Sequence, residues 1–168
     1  MTSLIDNAYM NDTSSVLDIL IYVFDRYMLS ETPEVPERDE LAQMLARAGF
    51  AVPNVERALD WLADLAGERD RPVLQGGGPR TLRLFTEAER DRLSSECRGY
   101  LLTLEQMDVL NAHQREIIIE RLLALEVEEL DVEQLKWVAL MVLSSQPDAE
   151  LACARMEDLV FDAPESVH

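Results

Sequence analysis

Apolar residues recur at helical spacing along most of the chain. Val16, Leu17, Leu20, Val23, Phe24 and Tyr27 form a wide stripe. Ser15 stands where an N-cap belongs, and Asp18 falls in the first turn, where a carboxylate favours the helix dipole. The pattern predicts a helix to about Met28, with Tyr22 among the polar positions on its other side. Pro33 and Pro36 then break the period, with Val35 in a very short extended piece. A second helix is predicted over Glu37 to Ala48, closed by Gly49. A third runs from Pro53 to Ala66 and is closed by Gly67, with Val55, Leu59, Leu62 and Ala66 inward and Trp61 beside that stripe.

The texture changes at Pro72. Pro72 to Gln75, the turn Gly76-Gly77-Gly78-Pro79, and Thr81 to Phe85 read as a β-hairpin, with Leu82 and Leu84 alternating with Arg83. Helix, short strand, helix, glycine turn, helix, hairpin is the order of a winged helix-turn-helix domain. From Thr86 the chain is helical again. Thr86 with Glu89, Asn111 with Gln114, and Asp131 with Gln134 are capping-box pairs, and Ser94 or Ser95 re-caps a helix to about Met107. The run Trp137 to Leu143 is apolar on every side, as in a helix at the centre of a bundle. Pro147 and Asp148 open a last helix to about Phe161.

The expected architecture is therefore mainly α: a winged-helix-like N-terminal part followed by a C-terminal helical bundle. Its expected domains are a leader over 1–14, the winged-helix-like part over 15–85, the bundle over 86–163 and a frayed tail over 164–168. The start of the chain lacks a basic segment followed by an apolar one, and no apolar run is long enough to span a bilayer. A cytoplasmic location with no membrane contact is the expectation.

Charge changes the picture more than composition does. The 168 residues carry 33 Asp and Glu against 15 Lys and Arg, a net charge of −18, and Lys136 is the only lysine. Residues 1–85 hold 14 acidic and 8 basic side chains, and residues 86–168 hold 19 and 7. Such a field repels phosphate backbones. The third helix, which would enter a groove in a helix-turn-helix protein, offers Arg57 against Glu56, Asp60 and Asp64. The basic side chains gather instead around the hairpin, at Arg69, Arg71, Arg80 and Arg83.

The chemistry-bearing residues are few. Cys97 and Cys153 lie far apart on apolar faces and read as buried thiols. The two histidines, His113 and His168, belong to no zinc or triad pattern. The glycine run is followed by Pro79-Arg80 rather than Lys-Ser or Lys-Thr, so it is no phosphate cradle. No catalytic residue, metal site or cofactor is read from the sequence.

At Cys97-Arg98-Gly99-Tyr100-Leu101-Leu102, Arg115 to Arg121, Leu122 to Leu125 and Leu135-Lys136-Trp137-Val138, the chain resembles the bacterial Smg protein family. Asp18 to Phe24, Ala58-Leu59-Asp60-Trp61-Leu62 and Leu84-Phe85-Thr86 extend the likeness, which covers about Val16 to Phe161. The leader and the glycine-rich turn depart from it. The resemblance implies a cytoplasmic bacterial protein and carries over neither catalytic residues nor a cofactor. It singles out Arg98 and Gly99 as polar positions to test. A structural role competes: Arg98 bridging a carboxylate such as Glu116, and Gly99 letting two helices approach closely.

The leading expectation is a non-enzymatic module that binds a protein partner, with Tyr22, Trp61, Arg71, Arg80, Arg83 and Arg98 as candidate contacts. One alternative is nucleic-acid binding through the hairpin arginines. Another is an acidic mimic of nucleic acid that occupies a DNA- or RNA-binding protein.

Overall fold

A computed structural model describes residues 15–28, 35–68, 84–125, 127, 130–146 and 149–161. It forms two compact units, Met1–Asp64 and Leu65–His168. Every regular element among the described residues is a helix.

In the first unit, α1 spans Val16–Val23 and continues as a π-helical turn, Phe24–Met28. Ser15 caps it reciprocally with Asp18: the Ser15 Oγ accepts from the Asp18 amide, and the Asp18 carboxylate accepts from the Ser15 amide. Leu17, Ile19, Leu20, Val23 and Phe24 are buried. From within the π turn the Tyr27 hydroxyl reaches Met44 Sδ at 3.5 Å, on α2 (Arg38–Arg47). Gly49 ends that helix in the left-handed region at φ 104°, as its position predicts.

Helix α3, Val52–Glu68, begins in the first unit and runs through Gly67 instead of stopping there. A glycine inside a helix costs only about 1 kcal/mol, too little to force an end. Its buried face is Val55, Ala58, Leu59, Trp61 and Leu65, while Ala66 is exposed. The buried stripe is thus turned toward Trp61 relative to the one expected from spacing, and burying the large indole favours that choice.

The second unit holds α4 (Glu87–Arg92), α5 (Ser95–Gln106), α6 (Ala112–Leu123), α7 (Val132–Ser144) and α8 (Glu150–Phe161). Thr86, Asn111 and Asp131 close the expected capping boxes with Glu89, Gln114 and Gln134, and Ser94 caps α5. Helix α7 is buried on every side from Val138 to Leu143, and α5, α6 and α8 all pack against it. Trp137 meets Phe161 edge-on at 5.5 Å between ring centroids.

The winged-helix expectation is overturned, while the mainly α class stands. Among the described residues there is no strand, only an isolated parallel bridge between Leu93 and Leu130. Val35 is not in a strand, and neither Leu84 nor Phe85, where the hairpin should end, is in one. Leu84 is 81% exposed, so it does not act as the inward residue of an alternating strand. Residues 69–83, with Arg69, Arg71, Arg80 and Arg83, lie outside the described residues. So do the expected leader over 1–14 and tail over 164–168. Among the described residues no helix is long and apolar enough to cross a membrane.

Candidate interaction surface

The candidate contacts differ in accessibility. Trp61 is 3% exposed and belongs to the core. Tyr22 is half-buried, edge-on to Phe50 at 5.3 Å, with the Arg26 guanidinium 5.9 Å from its ring centre. Arg71, Arg80 and Arg83 lie outside the described residues.

Arg98 sits on α5, in the second unit, with its guanidinium 6.0 Å from the centre of the Phe85 ring. Its Nε is buried without a hydrogen-bond partner among the described residues. The expected bridge to Glu116 is not formed by Arg98. Arg115 takes that place, 2.8 Å from Glu116 through Nε and 2.6 Å from Glu105 through Nη1. Burial opposes the Arg115 charge, yet the two carboxylates outweigh it and hold the guanidinium above its ordinary pKa.

Gly99 is not a close-approach glycine. It is exposed in the middle of α5, and a Cβ built there meets nothing within 4 Å. Thr103 donates its hydroxyl to the Gly99 carbonyl at 2.9 Å. Gly99→Ala should therefore stabilise the fold by about 0.8–1 kcal/mol, the propensity difference in a helix interior. Urea unfolding checks this; a loss of stability would mean the backbone there needs glycine.

Three features have little signature in the sequence. Lys136 is only 8% exposed: its Nζ lies 3.1 Å from Glu133 Oε1 and 5.7 Å from the centre of the Tyr100 ring. Burial, and then Glu133, raise the Tyr100 pKa, and the Tyr100 hydroxyl is buried without a hydrogen-bond partner among the described residues. The only hint was a lysine set in an apolar run three residues after a glutamate. Arg92, at the end of α4, donates to the carbonyls of Leu123 and Val127. Arg38 binds Glu56 at 3.2 Å and Asp60 at 2.7 Å.

Both thiols are held protonated. Cys97 is buried and donates to the Leu130 carbonyl at 3.1 Å, and burial raises its pKa. Burial, reinforced by Glu157, pushes Cys153 up to about 11. A thiol raised above its unfolded value leaves stability unchanged below the unfolded pKa of about 8.5 and erodes it above, because the unfolded thiol ionises first. Stability should fall as pH rises from about 9 toward 11, and Cys153→Ser should flatten that fall in thermal melts. At neutral pH, alkylation of either thiol should be slower than that of a free cysteine. Among the described residues no group of three or more His, Cys, Asp or Glu side chains is placed to hold a metal ion.

Arg92, Arg98 and Arg115 are half-buried and Lys136 is buried, whereas Arg26, Arg38, Arg47, Arg57 and Arg90 are exposed alongside many carboxylates. Asp25, Asp39, Asp64, Glu96, Glu120 and Asp158 are all exposed. A family model described as "Protein of unknown function (DUF494)" matches residues 16–168. "Protein Smg homolog" of Nitrosococcus oceani is 48% identical over 155 residues, covering 88% of this chain and 94% of that protein. The chain belongs to the Smg family. The Smg homologue of Thioalkalivibrio sulfidiphilus is 43% identical, covering 89% of this chain and 95% of its own length. The homologue of Xanthomonas euvesicatoria is 44% identical, covering 92% and 98%. No solved structure matches this Smg-family chain.

Proposed function

We propose that this Smg-family chain is a non-enzymatic, cytoplasmic interaction module whose acidic surface receives a basic protein partner. The observation that carries the reading is the disposition of charge. Net charge is −18. Within the second unit, Arg92 and Arg115 are drawn onto carbonyls and carboxylates, Arg98 lies against a ring, and Lys136 is buried. With 33 carboxylates against 15 basic side chains the net field is negative, and it steers and orients a cationic protein and repels phosphate backbones. The protonated thiols support a binding role over nucleophilic chemistry.

The test is capture by the intact chain from a bacterial lysate at moderate salt, with nuclease-treated and untreated arms. The reading expects a basic protein in stoichiometric amount, released by high salt and indifferent to nuclease. Failure to recover any stoichiometric protein, or recovery that nuclease abolishes, would contradict it. Displacement of the partner by duplex would mark the acidic surface as a stand-in for nucleic acid, the narrower form of the same reading.

A further inference from the structure

Helix α8 turns Met156 and Val160 inward and packs on α7. Its outward side is not the polar face such a helix ordinarily shows. Leu151 is 75% exposed, and Phe161 is 50% exposed despite its contact with Trp137. Ala154 and Asp158 are exposed between them, and Arg155 is half-buried. Steps of three or four residues connect all five, so they share one side of the helix. Arg155 donates from Nη2 to the Met107 carbonyl at 3.0 Å. A carbonyl does not neutralise it, so its charge and its remaining donors stay with this face.

The order of these residues is self-complementary. A second α8 can lie antiparallel to the first about a two-fold axis. An axis crossing between Met156 and Glu157 sets Arg155 level with Asp158 of the second copy, and does so twice. An axis at Met156 sets Leu151 level with Phe161 of the second copy, also twice. The two axes differ by half a residue, about 0.8 Å on a helix that rises about 1.5 Å per residue. One antiparallel pairing therefore satisfies the charged pairs and the apolar pairs together. Glu150 then falls beyond the end of the opposing helix. The antiparallel order also brings opposite ends of the two helix dipoles together.

We propose that the outward face of α8, formed by Leu151, Ala154, Arg155, Asp158 and Phe161, is a contact between two copies of this chain. A uniformly basic segment would be repelled by Arg155 there, and a uniformly acidic one by Asp158. A second copy offers the opposite charge at each place and an apolar group at each end. The net charge of −18 opposes the approach of two copies. At about 0.15 M salt that field is screened beyond about 8 Å, whereas the Arg155–Asp158 pairs act at contact. A single pair of 12-residue helices stands at or below the low end of specific interfaces, roughly 1,200 Å², so the dimer is weak, with a Kd on the order of 100 μM. The contact is separate from the capture of a basic protein, and neither reading depends on the other.

The experiment is sedimentation equilibrium of the purified intact chain, from about 10 to about 1,000 μM at about 0.15 M salt. The expected result is a reversible monomer–dimer equilibrium. Leu151→Asn should weaken it about tenfold or more. Val52→Asn, at an exposed apolar position in the first unit, should dimerise like the wild type. Arg155→Glu opposes carboxylates across the axis and Asp158→Arg opposes cations, so each variant alone should stay monomeric. Mixed together, the two variants restore both attractive pairs, and a dimer with one copy of each should form. Contacts within a single chain cannot produce that recovery, and the recovery itself shows that both variants are folded. Leu151→Asn tests the contact without touching the Arg155 bond to Met107. A wild type that stays monomeric over the whole range overturns the contact. So does a Leu151→Asn dimer of unchanged affinity, or a mixture no more dimeric than its two parts. None of these outcomes bears on the capture of a basic protein, which the lysate experiment decides by itself.

Discussion

Leu140→Ala should destabilise the second unit by about 3–4 kcal/mol, within the range for deleting a buried leucine side chain. Leu140 is fully buried, as are Val138, Ala139, Val142 and Leu143 on the same helix. Helix α7 has neighbours on several sides, so no single element can shift to fill the space left behind. The cost therefore includes a residual cavity as well as lost transfer energy. The chain has two tryptophans, Trp61 in the first unit and Trp137 in the second. Urea unfolding followed by Trp137 emission in a Trp61→Phe background isolates the affected unit. A loss below about 1.5 kcal/mol would mean that α7 is less tightly enclosed than its burial indicates.

Arg92→Ala should lower stability by about 2–3 kcal/mol through polar contacts rather than packing. The last carbonyls of α6 have no intrahelical donor, and the Leu123 carbonyl takes one from Arg92. The same guanidinium reaches the Val127 carbonyl through Nη2 at 3.1 Å. Nearby, the Leu130 amide donates to the Arg92 carbonyl at 3.2 Å, within the Leu93–Leu130 bridge. One side chain thus fastens the end of α6 and the following segment to the end of α4, with its positive charge at a helix C-terminus, where the dipole favours it. Arg92→Lys should recover only part of the loss, since an ammonium lacks the planar fork that spans two acceptors. Full recovery by lysine in the same unfolding assay would show that charge alone matters there.

Arg92 also shows where sequence reading stops. Its acceptors lie 31 and 35 residues away, and no local pattern encodes that pairing. Lys136 is similar, because the Tyr100 ring beneath it arrives from another helix. The helix starts were legible because a capping box is local: Ser15 with Asp18 or Asn111 with Gln114 needs three residues of spacing and nothing else. The centrality of α7 was legible because a helix apolar all round has no solvent face to offer. The wing was misread on thin grounds. Leu82, Arg83 and Leu84 alternate over three residues only, and Leu84 turns out exposed. The spacing set Trp61 beside the Leu59 and Leu62 stripe because two neighbouring stripes on α3 compete, and a heptad-like count cannot choose between Leu62 with Ala66 and Trp61 with Leu65. As for the candidate site, the sequence carried the acidity but not its direction. Only the folded chain turns Arg92, Arg98, Arg115 and Lys136 inward, and it leaves more carboxylates than arginines exposed among the described residues.

That direction of charge is the central claim, and the salt dependence of partner binding tests it most directly. The partner captured by the intact chain should be a basic protein whose affinity falls at least about tenfold between roughly 0.05 and 0.5 M salt, as screening removes carboxylate attraction. An affinity that salt leaves unchanged, or a partner as acidic as the chain itself, would contradict it.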